Sequence, residues 1–306
     1  MDLTAIDDLE FFEQISRSQS LTEAARNWGK SVSAVSKRLA RLESRLGVPL
    51  VRRSTRRLTL TEEGHRYASG AAAILQQKTD LEEALSVQHG ELKGRISVHS
   101  SLGIGRKHIA PLLGEFVRQH PLIQIDLQLS PLPLNISGTS FDIAIRVGGL
   151  SDSRLKAKLL ARNRRIVCAA PSYIESAPPL RTIRDLELHN CIVLRENNPD
   201  YSLWRFGTDG HEYVDVRGSM ISDDGDVVTN WCVQGIGLIM RSTWHVNPLI
   251  QQGVLQHVLP EIETPSADVF ALYPAVTRTP RRITSAIEHL QQGLAARLGS
   301  SSSPAD

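Results

Sequence analysis

The sequence predicts an α/β chain built in parts: a small helical module with a β-hairpin, a connecting helix, and a larger body of alternating strands and helices. Three observations carry that reading. Charge is segregated, because Leu21 to Leu60 holds ten Lys and Arg against two acids, a local net of +8 that leaves −6 for the rest of a chain whose total is +2. The apolar residues before Gly47 repeat at helical spacing in three separate pieces. From Arg95 onward the period switches between two and about 3.6 residues, strand then helix then strand, the pattern of a βαβ unit and a largely parallel sheet. With 306 residues the chain has room for two domains with separate cores.

The first helix spans Asp2 to Ser16, where Leu3, Ile6, Leu9, Phe12 and Ile15 form a stripe. Ser20-Leu21-Thr22-Glu23 matches the S-x-x-E cap of a second, two-turn helix that ends at Gly29. A third runs from Ser31 to Leu46, with Val35, Leu39, Leu42 and Leu46 on one side and Gly47 and Pro49 closing it. A short helix with small Ala24 and Ala25, a tight turn and a longer basic helix make a helix-turn-helix. With Val35, Leu39 and Leu42 turned to the core, Ser33, Ser36, Lys37, Ala40 and Arg41 fall on or near the opposite side, a face suited to a major groove. Small hydroxyl residues there can reach base edges, while Lys37, Arg38 and Arg41 can meet phosphates. Leu50 to Thr61 then reads as two short strands around a basic turn, a wing whose Arg53, Arg56 and Arg57 would grip backbone or minor groove.

From Gly64 to about Gln88, Tyr67, Ala71, Ile74, Leu81 and Leu85 lie close to a heptad seam that Lys78 interrupts. A helix about 35 Å long with one apolar stripe needs a partner, either a second subunit or its own C-terminal domain. Gly90 and Gly94 bracket a hinge. Beyond it, strands are expected at Arg95 to Ser101, Ile123 to Leu129 and Phe141 to Val147, with a helix from Ile104 to His120. A second set follows: strands near Arg165 to Ala169, Cys191 to Leu194, Tyr213 to Arg217 and Gly237 to Met240, and helices near Asp226 to Gln234 and Thr243 to Gln251. Val269 to Tyr273 gives a late strand, Pro280 to Leu298 a closing helix, and Ser300 to Asp306 a frayed tail.

Composition excludes several classes. No apolar run approaches the roughly 18 residues of a membrane span. The N-terminus carries early acids rather than a basic region followed by an apolar stretch, so no secretory signal is expected and the chain is assigned to the cytoplasm. Cys168, Cys191 and Cys232 lie far apart, without C-x-x-C spacing, and are expected as free buried thiols rather than a zinc site or disulfides. An enzyme with an accessory helix-turn-helix would need a catalytic constellation, and G-x-S-x-G, H-E-x-x-H and G-x-x-x-x-G-K are absent from the sequence. A transport-type binding protein does not account for the +8 module.

Together these motifs resemble the LysR-type transcriptional regulators. The resemblance rests on Leu21-Thr22-Glu23-Ala24-Ala25, Ser31 to Leu39, Leu42-Glu43-Ser44-Arg45-Leu46-Gly47, Arg53-Ser54 and Leu60-Thr61-Glu62-Glu63-Gly64, in the family's order and spacing. It continues through Phe141-Asp142-Ile143-Ala144-Ile145-Arg146 and Gly235-Ile236-Gly237-Leu238, and so covers nearly the whole chain. Val35-Ser36-Lys37-Arg38-Leu39 and Ser54 to Thr61 look most like the branch of D-malate and tartrate utilisation regulators.

The resemblance implies a winged helix-turn-helix (residues 1–63), a linker dimerisation helix (64–89) and an effector domain (90–306) of periplasmic-binding-protein type. Its two α/β subdomains would be 95–163 with 269–298, and 164–268. It also implies homodimers or homotetramers, promoter DNA as partner, RNA polymerase as a further one, and a small-molecule co-inducer in place of a metal or cofactor. Carried over by position, Ser31, Ser33, Ser36, Lys37, Arg53 and Arg56 are DNA-contact candidates, beside Arg38 and Arg57 from the helix and wing read above. Val32 departs from the Gln frequent in the family and Lys30 from an apolar residue, which affects base preference. The effector candidates are Ser100, Ser101, Ser130, Arg146, Trp204, Ser222 and Asp223. Helix N-termini and Arg146 favour an anion, whereas Asp223 and Asp224 oppose one. Pro131 to Ser140 replaces a short acidic helix of relatives, so the pocket rim is expected to differ.

Overall fold

A computed structural model describes residues 4–18, 20–53, 58–85, 91–130, 141–149, 155–195, 200–275 and 279–299. Two compact units divide the chain, Met1–His89 and Gly90–Asp306.

In the first unit, α1 (Thr4–Arg17) buries Phe11, Phe12 and Ile15. Helix α2 (Leu21–Asn27) starts at Ser20, whose Oγ accepts a hydrogen bond from the Glu23 amide at 3.1 Å. Its Ala24 and Ala25 are buried against α3 (Val32–Leu46), small enough for two helices to cross closely. Gly29, at φ 63°, makes the turn between them. Helix α3 is capped by Ser31, buries Val35, Leu39 and Leu42, and ends at Gly47 in the left-handed region.

Glu43 Oε1 accepts from the Leu50 and Val51 amides at 2.8 and 3.1 Å, fixing the start of β1 (Val51–Arg53) against the end of α3. Strand β1 pairs antiparallel with β2 (Leu58–Leu60). Thr61 then caps α4 (Glu62–Leu85), its Oγ accepting from the Gly64 amide and donating to the Pro49 carbonyl. The single seam expected on α4 divides. Tyr67 packs edge-on against Phe12 at 5.2 Å and so serves this unit's own core, and Ala71 is buried. Ile74 and Leu81, further along, are 50% and 61% exposed.

The second unit holds two α/β halves. Its main sheet contains β3 (Gly94–Ser100), β4 (Ile123–Leu129), β5 (Ile143–Val147), β6 (Leu155–Ala161) and, far along the chain, β14 (Val269–Pro274), in the order β4-β3-β5-β14-β6. Strand β3 is parallel to β4 and β5, but β14 runs antiparallel to both β5 and β6. The sheet is largely parallel, as expected: β3, β4, β5 and β6 run the same way, and β14, by which the chain returns after β6, opposes them. Helix α6 (Ala110–Gln119) and the closing α10 (Arg281–Gly299) supply Leu112, Phe116, Ile287, Leu290 and Leu294 to the core over this sheet. The expected helix over Ile104 to His120 starts two residues earlier as a short α5 (Leu102–Ile104) and passes through one π turn, Gly105–Ile109, before α6.

The second half centres on β7 (Arg165–Ala169), antiparallel to β12 (Ile239–Ser242) and β13 (Gln256–Val258). Alternate β7 residues serve two cores, Val167 and Ala169 one, Ile166 and Cys168 the other. Around it lie α7 (Pro171–Ser176), a 3₁₀ turn (Ile183–Leu188), β8 (Val193–Leu194) paired with β11 (Ile221–Ser222), and β9 (Leu203–Phe206) paired with β10 (Glu212–Asp215). Helices α8 (Gly225–Val233) and α9 (Thr243–Gln251) complete it. The three cysteines are buried and unbridged.

The two crossings between halves are tied together. The Asn163 amide donates to Asp268 Oδ1 at 2.9 Å, Asn163 Nδ2 donates to the Ala267 carbonyl and to Ser242 Oγ, and Arg162 pairs with Asp268 Oδ2 at 2.7 Å. No described helix is long and apolar enough to cross a membrane.

Candidate functional site

On α3, burying Val35, Leu39 and Leu42 leaves Ser31, Val32, Ser33, Lys37 and Arg41 exposed and Ser36 half-buried. Ser31 Oγ accepts from the Ala34 amide at 3.2 Å and lies 3.0 Å from Ser33 Oγ, so the two hydroxyls at the helix start hold one another. Val32 is 42% exposed between them.

Arg38, expected to meet a phosphate, does not share this row. Its Nη2 and Nε donate to Asp8 Oδ1 at 3.2 and 3.4 Å, and its guanidinium lies over Phe11 and Trp28 at 4.9 and 5.0 Å. One helical step past Lys37 turns it toward Asp8 and Phe11 of α1 and Trp28 at the end of α2. Arg45 donates to the other Asp8 oxygen at 3.0 Å. Arg53 closes β1, opposite Leu58, while Arg56 and Arg57 lie outside the described residues.

In the second unit, a cavity of about 90 Å³ opens between the halves. The first half contributes Ser101 and Gly103 at the start of α5 and Arg146 on β5; the second contributes Asp223, Gly225, Arg241 and Trp244. Of the candidates, Ser101, Arg146 and Asp223 line it. Ser100 is fully buried and its Oγ has no hydrogen-bond partner among the described residues. Ser130 Oγ lies 3.4 Å from His99 Nε2. Ser222 Oγ accepts from the Asp224 amide at 3.1 Å, turning the chain into α8.

Trp204 is corrected: strand alternation sends it, with Phe206, into the second half's core among Val167, Val214 and Leu259, away from the cavity lining. Sequence reading missed Arg241, Trp244 and His99. Arg241 lies one residue beyond the strand expected at Gly237 to Met240, a place where a lone buried charge is itself a signal.

Arg146 and Arg241, one from each half, line the cavity together with Asp223, the one acid among its described lining residues. His245 accepts from Arg241 Nη2 at 3.2 Å, and burial together with the Arg241 charge pushes its pKa down to about 3, leaving it neutral. Burial opposes ionisation of Asp224, but the Asp226 and Val227 amides and Arg106 outweigh it and hold its carboxyl below the ordinary value. Arg106 Nη1 reaches Asp224 Oδ2 at 3.3 Å, joining the π turn of the first half to the cap of α8 in the second. Trp244, on α9, packs into the first half's core and stands edge-on to His108 at 5.1 Å. Among the described residues no cluster of His, Cys, Asp and Glu could hold a metal ion.

The pairing of these two units matches known proteins along the whole chain. The family model for the bacterial regulatory helix-turn-helix protein, lysR family, matches residues 6–65, and that for the LysR substrate binding domain matches residues 89–295. The chain is 33% identical to the HTH-type transcriptional activator TtdR of Escherichia coli strain K12 over 95% of its own length and 94% of the relative's. It is 32% identical to the HTH-type transcriptional regulator DmlR of the same strain, over 95% of both. The structure of CrgA, a LysR-type transcriptional regulator from Neisseria meningitidis, superposes with a TM-score of 0.55 at 28% identity, covering 97% of this chain and 99% of that one. A basic helix-turn-helix joined to a two-lobed α/β cleft defines a regulator in which one unit meets DNA and the other a small molecule. The chain belongs to the LysR family of transcriptional regulators, which are not enzymes.

Proposed function

We propose that this regulator responds to a small organic acid, most specifically a hydroxy-dicarboxylate, held between the two halves of its effector domain. The observation that carries this reading is the pair of guanidinium groups, Arg146 and Arg241, lining one small cavity from opposite sides. Asp224, which by sequence argued against an anion, is already engaged by Arg106. Two cations facing each other across a cleft suit a ligand with two acidic ends, and its binding favours the closed arrangement. The resemblance to the D-malate and tartrate branch supports the same class, acting as a co-inducer.

On the DNA side, Ser31, Ser33, Ser36 and Lys37 meet the major groove, with Arg53, Arg56 and Arg57 on the wing. Two such modules, in a homodimer or homotetramer paired through Ile74 and Leu81, engage half-sites about one helical turn apart. RNA polymerase is the further partner, and the cytoplasm the compartment of action. The test is an electrophoretic mobility shift on the gene's own upstream region at two salt concentrations, with and without D-malate and the tartrates. A specific, salt-sensitive shift altered by one of these acids supports the reading; a specific shift that none of them alters removes the ligand class and leaves the regulator.

A further inference from the structure

His99 lies on β3, between β4 and β5 in the first half's sheet, fully buried, and no feature of its sequence context marks it. Its Nδ1 lies 3.1 Å from Arg146 Nη1 and its Nε2 3.4 Å from Ser130 Oγ, with Phe141 packed beside the ring at 5.3 Å. A guanidinium only donates hydrogen bonds, so Nδ1 accepts and the imidazole proton sits on Nε2, directed at Ser130. The ring is therefore neutral, consistent with burial and the Arg146 charge, which push its pKa down to about 4. Nη1 of Arg146 is then fully used, by His99 Nδ1 and by the Ile145 carbonyl at 3.5 Å. Among the described residues its Nη2, buried, has no hydrogen-bond partner, and no carboxylate is bonded to this cavity-lining arginine.

We propose that His99 is a positioning residue for anion recognition: it fixes Arg146 through Nη1 so that Nη2 is presented to a carboxylate oxygen of the effector. Neutrality is essential to the role. A protonated ring would set N–H against N–H and add a like charge, whereas the neutral ring orients the cation without cancelling it. Ser130 contributes by holding the Nε2–H tautomer, which gives a purpose to a residue that does not itself line the cavity. This inference rests on the carboxylate reading above, and the test separates the two.

The full-length protein labelled with ¹⁵N-histidine is expected to show His99 as a single neutral Nε2–H tautomer at pH 7, lost in Arg146→Met; an Nδ1–H tautomer or an imidazolium overturns the assignment. This readout needs no ligand, so it stands even if D-malate and the tartrates fail to bind. For an acid that binds, calorimetry on His99→Leu is expected to show about tenfold weaker affinity, the worth of one charged hydrogen bond. His99→Asn, which keeps an acceptor near the Nδ1 position, is expected to recover most of it. In the Arg146→Met background His99→Leu is expected to have no further effect, because it acts only through Arg146. Independent, additive losses, or His99→Asn as weak as His99→Leu in a folded protein, overturn the proposal.

Discussion

Arg106 and Asp224 meet across the cleft at 3.3 Å, an ion pair between residues 118 apart in sequence and on opposite halves of the effector domain. Asp224 also caps α8 through the Asp226 and Val227 amides. Removing the two partners should therefore have different costs. Arg106→Ala, at a half-exposed position, is expected to cost well under about 1 kcal/mol in denaturant unfolding. Asp224→Ala also loses the cap and is expected to cost about 1 kcal/mol more. Asp224's folded pKa lies below its ordinary 3.8, so its contribution is full above that value and is lost as pH falls below it. The difference in stability between wild type and Asp224→Ala should shrink in acid.

Lys37 and Arg38 are neighbours with different surroundings, the first exposed and the second bonded to Asp8. Lys37→Ala is expected to weaken DNA binding and lower the slope of log K against log salt by about one unit. Arg38→Ala is expected to leave that slope close to wild type when measured on folded protein, and to lower the melting temperature through lost contact with Asp8, Phe11 and Trp28. Fluorescence anisotropy over a salt series, beside thermal melts, separates the two.

Val32 offers a chemical test of base reading. An exposed apolar side chain at the start of α3 suits the C5-methyl of thymine. Replacing single thymines in the bound operator by deoxyuridine is expected to weaken wild type at one position per half-site by up to about tenfold, and Val32→Ala to erase that sensitivity. Equal sensitivity in both proteins would remove Val32 from base contact.

Leu81 is 61% exposed on a helix whose Tyr67 is already used by the N-terminal module. Leu81→Glu should shift the oligomer toward monomer in sedimentation velocity and reduce DNA affinity in step, since linked half-site binding is lost. An unchanged sedimentation coefficient would place the subunit contact elsewhere.

Gly225 opens α8 against the Arg241 guanidinium, and a methyl group there would collide with it. Gly225→Ala is expected to push that buried cation out of place. The expected result is lost response to the acid effector in the mobility-shift assay, with DNA binding itself retained.

What the sequence made legible follows the range of the interactions involved. Ser20, Ser31 and Gly47 mark helix ends through bonds within four residues, and those ends were readable to within a residue. Strand β6 was missed because its Leu-Lys-Ala-Lys run has weak strand preference and serves as an edge, where lysines guard against further pairing. The packing of Arg38 was not legible because its partner is 30 residues away, nor that of Trp204 because nothing local says which side of a short strand faces a core. His99 was invisible for the same reason: its meaning is Arg146, 47 residues later on a neighbouring strand.

The placement of β14 between β5 and β6 has a consequence for synthesis. The sheet begun at Gly94 waits for Val269 to fill its fourth place, so the first half to leave the ribosome is the last to be finished. Until then β5 and β6 each present an unpaired edge, while everything needed for the β7 sheet and its two cores has already been made. A chain stopped between Ala161 and Val269 would carry a complete DNA-binding module on an effector domain with open edges. Such products are targets for proteolysis, so premature termination would not leave behind a regulator that binds DNA while deaf to its effector.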